Sequence, residues 1–225
     1  KKETVIGIPR VLSFWETMPF WTTFFHSLGY NVRISDKSTR KIYESGLSAV
    51  TSDTVCFPAK LVHGHIRNLA AHHVDRIFMP TITTVTSDNV ADTSESMCAV
   101  VKGYPIVMRN SDNPKRRFGI PFDAPLFHWY KTEDRDRQLT GYMKQTFGIE
   151  RSMTAKAIAF ADQAQAEFEH QLKSEGQKIL DNVKKEGRYA VVLASRPYQN
   201  DSLVNHDLPK LFTSIGIPVL TADSL

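Results

Sequence analysis

Cysteine is scarce in this chain: its 225 residues include only two, Cys56 and Cys98. Two thiols exclude a disulfide-stapled scaffold and suit a reducing, cytoplasmic setting. Long apolar runs are also missing. Nothing approaches the ~20 residues of a membrane-spanning helix, and no signal peptide is visible. Nor does one sign of charge dominate. Lys and Arg total 28 against 24 Asp and Glu, for a net charge of +4. So small an excess gives no reason to expect nucleic acid or a membrane surface as partner. The one basic run, Lys115-Arg116-Arg117, reads as a solvated loop in a Pro/Gly-rich stretch.

Several motifs are absent too. Without GxxxxGK[ST] there is no P-loop for ATP. No GxGxxG follows the first apolar run, so the dinucleotide fingerprint is lacking. GxSxG and HExxH are also missing, which removes support for hydrolase readings. The polar segment 81–96 has no glycine to let a backbone wrap a phosphate.

What is present is a globular composition, 41% hydrophobic and 23% charged. The chain opens Lys1-Lys2-Glu3 without methionine, as a piece of a longer protein would. Apolar runs at 4–9, 30–34, 74–79 and 106–108 read as strands. Helices are expected at 20–28, opened by Pro19, and at 39–46, capped by Ser38. Others are expected at 59–72, at 98–102 and around 133–147. Strands alternating with helices predict an α/β fold, a Rossmann-like parallel sheet over residues 1–125. A helical connector follows over 126–187, most of it one long helix from Ser152 to Gly187, with Gly176 a potential break. A strand at 189–194, a helix at 208–215 and a strand at 218–221 would open a second α/β domain over 188–225.

Cys56 lies in Ser52-Asp53-Thr54-Val55-Cys56-Phe57-Pro58-Ala59-Lys60-Leu61-Val62-His63-Gly64-His65. Pro58 fits a first helical turn, where its missing N–H costs nothing. The free N–H groups of that turn suit a thiolate ligand or nucleophile. Cys98 also stands near a predicted helix start. Two thiols at equivalent strand-to-helix junctions point to one shared site on the rim of the sheet. Zinc would normally need four ligands, and no CxxC pair exists. An iron–sulfur cluster prefers four thiolates, so these two supply only part of one. His63 and His65 project about 200° apart on a helix and cannot share a metal. One reads as a surface residue and the other as packed at an edge. His72-His73 reads as a helix C-terminus.

A second polar run, Ser195-Arg196-Pro197-Tyr198-Gln199-Asn200-Asp201-Ser202-Leu203-Val204-Asn205-His206, follows an apolar strand. Arg196 and His206 there are candidates for holding an anion. A helix-capping loop is the other reading.

The runs Ile6-Gly7-Ile8-Pro9-Arg10, Pro19-Phe20-Trp21, Ser52 through His65 and Arg196-Pro197-Tyr198 through Asn205-His206 together resemble one family. It is the domain of unknown function in large activase-type proteins related to the 2-hydroxyglutaryl-CoA dehydratase activator. The same region is similar to 2-hydroxyacyl-CoA dehydratase subunits. The resemblance covers nearly the whole chain. It implies Rossmann-like domains with iron–sulfur clusters held by cysteines between them. It also implies an ATPase partner that drives a low-potential electron into this region, and an acyl-CoA-related substrate. On that footing Cys56 and Cys98 are cluster ligands, completed by a cysteine outside this chain. The chain departs from the family pattern at Ala99, which stands where proline usually follows the second cysteine. It departs again at Gln199, Ser202 and Asp207. The alternative expectation is a docking module for the ATPase that holds no metal.

Overall fold

The structure is a computed structural model that describes residues 4–84, 96–129 and 131–225. Strand β1 (Val5–Ile8) is apolar and buried beyond its first residue. Helix α1 (Phe14–Ser27) starts earlier than the sequence predicts and carries Pro19 inside rather than at its opening. Burial decides this. Phe14, Phe20, Trp21, Phe24 and Phe25 are all sealed in the core. The cost of the proline is met from outside the helix. The Gln165 side chain accepts from Phe20 N–H at 3.3 Å and donates to the Glu16 carbonyl at 2.8 Å. Those are the two groups an uninterrupted turn would join.

Strand β2 (Asn31–Ile34) precedes helix α2 (Arg40–Leu47). The cap of α2 is Thr39, which accepts from Ile42 N–H at 3.2 Å. Ser38, the expected cap, is buried and bonded elsewhere. Helix α3 (Phe57–Ala71) packs backbone to backbone on α2. A Cβ at Gly64 would stand 2.0 Å from the Ile42 carbonyl oxygen, and one at Gly46 would stand 2.3 Å from Gly64 N. Only glycine permits that approach.

Strands β3 (Arg76–Phe78) and β4 (Thr81–Ile82) follow. Most of the predicted polar segment, residues 85–95, lies outside the described residues. Helix α4 (Ala99–Ser111) replaces the predicted short helix and 106–108 strand. Val101, Tyr104, Pro105 and Met108 form one buried helical stripe. That stripe overrides the breaker signals of Gly103 and Pro105. The stretch predicted to be irregular holds α5 (Pro114–Phe118), which includes the basic run, and strand β5 (Phe122–Asp123). Strand β6 (Leu126–Phe127) and helix α6 (Thr132–Phe147) come next.

The main sheet runs β2-β1-β3-β5, all parallel, with Val5 opposite Asn31, Ile6 opposite Arg76 and Ile77 opposite Phe122. This is a Rossmann-like α/β arrangement. Its strand order changes direction between β1 and β3, where such sheets open a crevice at their carboxyl ends. Strands β4 and β6 pair beyond it as a short parallel extension.

Helix α7 (Arg151–Lys185) is unbroken at about 52 Å by its 1.5 Å rise per residue. Ala157, Ile158 and Ala161 bury its first half. Arg135 of α6 forks onto Asp162 of α7 with both bonds at 2.8 Å. Gly176 does not break α7. It makes room, because a Cβ there would lie 1.9 Å from the Ser224 carbonyl oxygen. Strand β7 (Val191–Leu193), helix α8 (Leu208–Ser214) and strand β8 (Val219–Thr221) close the chain, with β7 and β8 parallel. Among the described residues no helix is long and apolar enough to cross a membrane.

Candidate functional site at the cysteine pair

Cys56 and Cys98 occupy the same local position. Each is the N-cap of a helix, Cys56 of α3 and Cys98 of α4, and both thiols are free and exposed. The expected strand-to-helix junction does not hold for Cys56. It follows a loop out of α2, and no strand leads into it. The sulfur is presented by the loop and helix alone.

The charge of both cysteines reaches one phenol, that of Tyr198. Burial pushes the Tyr198 phenol above the ordinary tyrosine range, and negative charge on Cys98 and Cys56 pushes it the same way. Tyr198 itself packs against the main core. Tyr198 stands in the single-turn 3-10 helix Pro197–Asn200, while the cysteines stand at the starts of α3 and α4.

Behind the rim, His63 and His65 face opposite ways from α3, as their spacing predicts. Both are fully buried, however, so neither is the surface histidine expected. His63 Nδ1 lies 2.8 Å from the Asp112 carboxylate and its Nε2 lies 3.0 Å from the Tyr104 hydroxyl. Burial pushes His63 below the ordinary histidine range, against the pull of Asp112. In the neutral ring Nδ1–H donates to the carboxylate and Nε2 accepts from Tyr104. Burial works against the charged form of Asp112, but hydrogen bonds from Arg67 and His63 outweigh it and hold the carboxyl low. Tyr104 is pushed up to about 12, first by burial and then by negative charge at Cys56 and Asp112. The Tyr104 phenol therefore stands within electrostatic reach of the Cys56 end of α3.

His65 serves a second buried chain. Arg10 N–H donates to Ser35 Oγ at 2.7 Å, and Ser35 Oγ lies 2.8 Å from His65 Nδ1. His65 Nε2 lies 2.9 Å from Ser38 Oγ, whose hydroxyl donates to the Asp201 carboxylate. One proton arrangement satisfies every member. Ser35 donates to Nδ1, Nε2–H donates to Ser38, and the ring is neutral. Burial pushes His65 down to about 4.

A family model described as the CoA enzyme activase uncharacterised domain matches residues 5–225. The chain belongs to that family. No curated protein matches it.

In this activase-family chain the other predicted pair is not brought into one cleft. Arg196 lines a cleft of about 440 Å³ beside Glu16, Gln165, Lys173 and Asp223. Burial raises the Glu16 carboxyl, Arg196 lowers it and Asp223 raises it. Glu16 Oε1 has no hydrogen-bond partner. His206 does not line that cleft. It is exposed beside α8 with φ 54°.

No role for Tyr198, Asp112, Tyr104 or Asp201 is legible in the sequence, and Ser38 reads there only as a helix cap. Tyr198 stood inside the quoted Arg196-Pro197-Tyr198 run, which was its only signal. Among the described residues, no group of three or more His, Cys, Asp or Glu is arranged to hold a metal.

Proposed function

We propose that this chain is the iron–sulfur-binding, electron-accepting, dehydratase-like region of an ATP-dependent 2-hydroxyacyl-CoA dehydratase activase system. One observation carries the reading. The chain's only two cysteines stand exposed at matching helix N-caps, both within electrostatic reach of one phenol. The free N–H groups of a helix start complement the negative charge of a metal-bound sulfur.

The donor set fits half of a cluster. Cys56 and Cys98 would each give one sulfur, and a 4Fe–4S cluster takes four ligands. The remainder must come from outside the described residues. When bound, such a cluster accepts an electron at low potential. This chain's residues would fix two of its corners, within electrostatic reach of the Tyr198 phenol. Tyr104 would stand within electrostatic reach of Cys56, bonded to His63, which Asp112 holds in turn. Arg196 and His206 would serve an anionic group, such as the phosphates of an acyl-CoA, at separate points of the second polar run.

A second reading is a metal-free docking module for the ATPase partner. It is favoured by the apolar residues left exposed around β7 and α8, with Tyr189 67%, Leu211 60% and Ile215 66% exposed. Anaerobic reconstitution of the full-length protein, with iron and sulfide counted, separates the two. The first reading expects bound iron and sulfide in equal amounts. The second expects neither, together with ATPase binding that Leu211→Glu abolishes.

A further inference from the structure

The cleft that holds Arg196 is lined by α1, α7, the Pro197–Asn200 turn and the Ala222–Ser224 turn. Its volume of about 440 Å³ is that of a small-molecule site. Its frame is fixed. Gln165 of α7 bonds to the Phe20 N–H and the Glu16 carbonyl of α1, and also donates to Glu169 Oε1 at 2.8 Å. Gln199 Oε1 accepts from Arg196 N–H at 3.0 Å, which sets the backbone from which the Arg196 side chain enters. Ser224 is buried against Gly176. The charges inside are not neutralised by one another. Among the described residues, Glu16, Lys173, Arg196 and Asp223 form no salt bridge. Glu16 Oε1 is closed off from water and has no hydrogen-bond partner. Burial works against the charged form of Glu16, Arg196 favours it and Asp223 disfavours it. Trp15 and Phe168 add aromatic surface to the same cleft.

We propose that this cleft binds an α-amino acid with an apolar side chain, its ammonium facing Glu16 and Asp223 and its carboxylate facing Arg196 and Lys173. A guanidinium takes a carboxylate in a two-bond fork. An ammonium brings three donors and the positive charge that the Glu16 carboxylate lacks. The side chain then lies against Trp15 and Phe168. A simple anion would satisfy Arg196 but bring more negative charge to Glu16 and Asp223. A simple cation would satisfy those carboxylates but meet Arg196 and Lys173 with like charge. A ligand carrying both signs meets all of them. The site does not depend on the reading of the cysteine pair, and it narrows the anion at Arg196 to a carboxylate.

Isothermal titration calorimetry of the full-length protein tests this with L-phenylalanine, phenethylamine and hydrocinnamate. The three share one skeleton, but the amine lacks the carboxylate and the acid lacks the ammonium. L-phenylalanine should bind about tenfold tighter than either, the worth of one charge-assisted hydrogen bond. Arg196→Ala should weaken L-phenylalanine about tenfold and leave the amine unchanged. Glu16→Gln should weaken L-phenylalanine and the amine alike, but not the acid. No heat of binding with L-phenylalanine at millimolar concentration, or equal binding of all three, would overturn the proposal. So would coenzyme A held through Arg196 and indifferent to Glu16→Gln, since the cleft would then serve phosphates. The comparison of the three compounds uses the natural sequence, so it decides even where a variant fails to fold. Iron plays no part in it, so the cluster reading and this one fail separately.

Discussion

His63 Nδ1 sits 2.8 Å from the Asp112 carboxylate, and neither side chain is more than 1% exposed. Asp112 also takes Arg67 at 2.8 Å and is paired with Arg117. It therefore accepts from three donors on α3 and α5, and Arg67 also donates to the His63 carbonyl at 3.0 Å. Asp112→Ala leaves a buried imidazole N–H without its partner and the Arg67 guanidinium without its counter-charge. The expected loss is about 3 kcal/mol, typical of breaking a buried charged network from one side. Urea unfolding of the two proteins measures it. Asp112→Asn, which keeps the shape, should lose less.

His65 gives a pH dependence with a definite sign. Its folded pKa is pushed down to about 4, below the unfolded value of about 6.5. Between those limits the unfolded chain binds a proton that the folded chain refuses. His65 therefore costs nothing above about pH 6.5, and stability falls as pH drops towards 4, by about 3 kcal/mol in all. Asp201 and Asp36 facing the ring oppose part of this fall, and Arg10 adds to it. Denaturant titrations at stepped pH should show a steeper acid loss in the natural chain than in His65→Gln. Parallel curves would remove His65 as the cause.

Two glycines with equally tight surroundings should respond differently. At Gly64 an added Cβ meets the Ile42 carbonyl oxygen at 2.0 Å, with two packed helices on either side. Gly64→Ala should cost about 3 kcal/mol, since neither backbone can withdraw. At Gly176 the clash is with Ser224, in the short turn Ala222–Ser224. Ser224 is buried and the clashing atom is backbone, so the turn must be displaced, while alanine returns about 1 kcal/mol of helix propensity. Gly176→Ala should lower the melting temperature, by less than Gly64→Ala does, and speed amide exchange in the turn.

Mg-ATP should not stabilise this chain. No glycine-rich loop is present to cradle phosphates, and in the proposed division of labour ATP belongs to the partner. A ligand at 1,000 times its dissociation constant adds about 4 kcal/mol, a shift thermal melting shows easily. A rise in melting temperature with Mg-ATP that Arg196→Ala abolishes would place the energy-coupling chemistry here instead.

The alternation of strands and helices was legible because each buried strand and helical stripe carries its own period. Helix α4 was not, since Gly103 and Pro105 are local signals and the stripe through Tyr104 and Met108 is read only with its packing. The two-residue strands β5 and β6 are too short for any period. At the site, Cys56 and Cys98 stood out by rarity. The partners of His63 lie 49 and 41 residues away, at Asp112 and Tyr104, and no local pattern announces them. Tyr198 comes within electrostatic reach of the cysteines only through the fold.

Iron and acid-labile sulfide bound per full-length protein after anaerobic reconstitution test the central claim most directly. The comparison is between the natural sequence, Cys56→Ser and Cys98→Ser. The account predicts a cluster in the natural protein that either substitution removes or leaves unstable in air. It also predicts that residues 1–225 alone hold no stable cluster, because two sulfurs leave half of the iron ligands unmet. Iron and sulfide retained in full by both serine variants would contradict it.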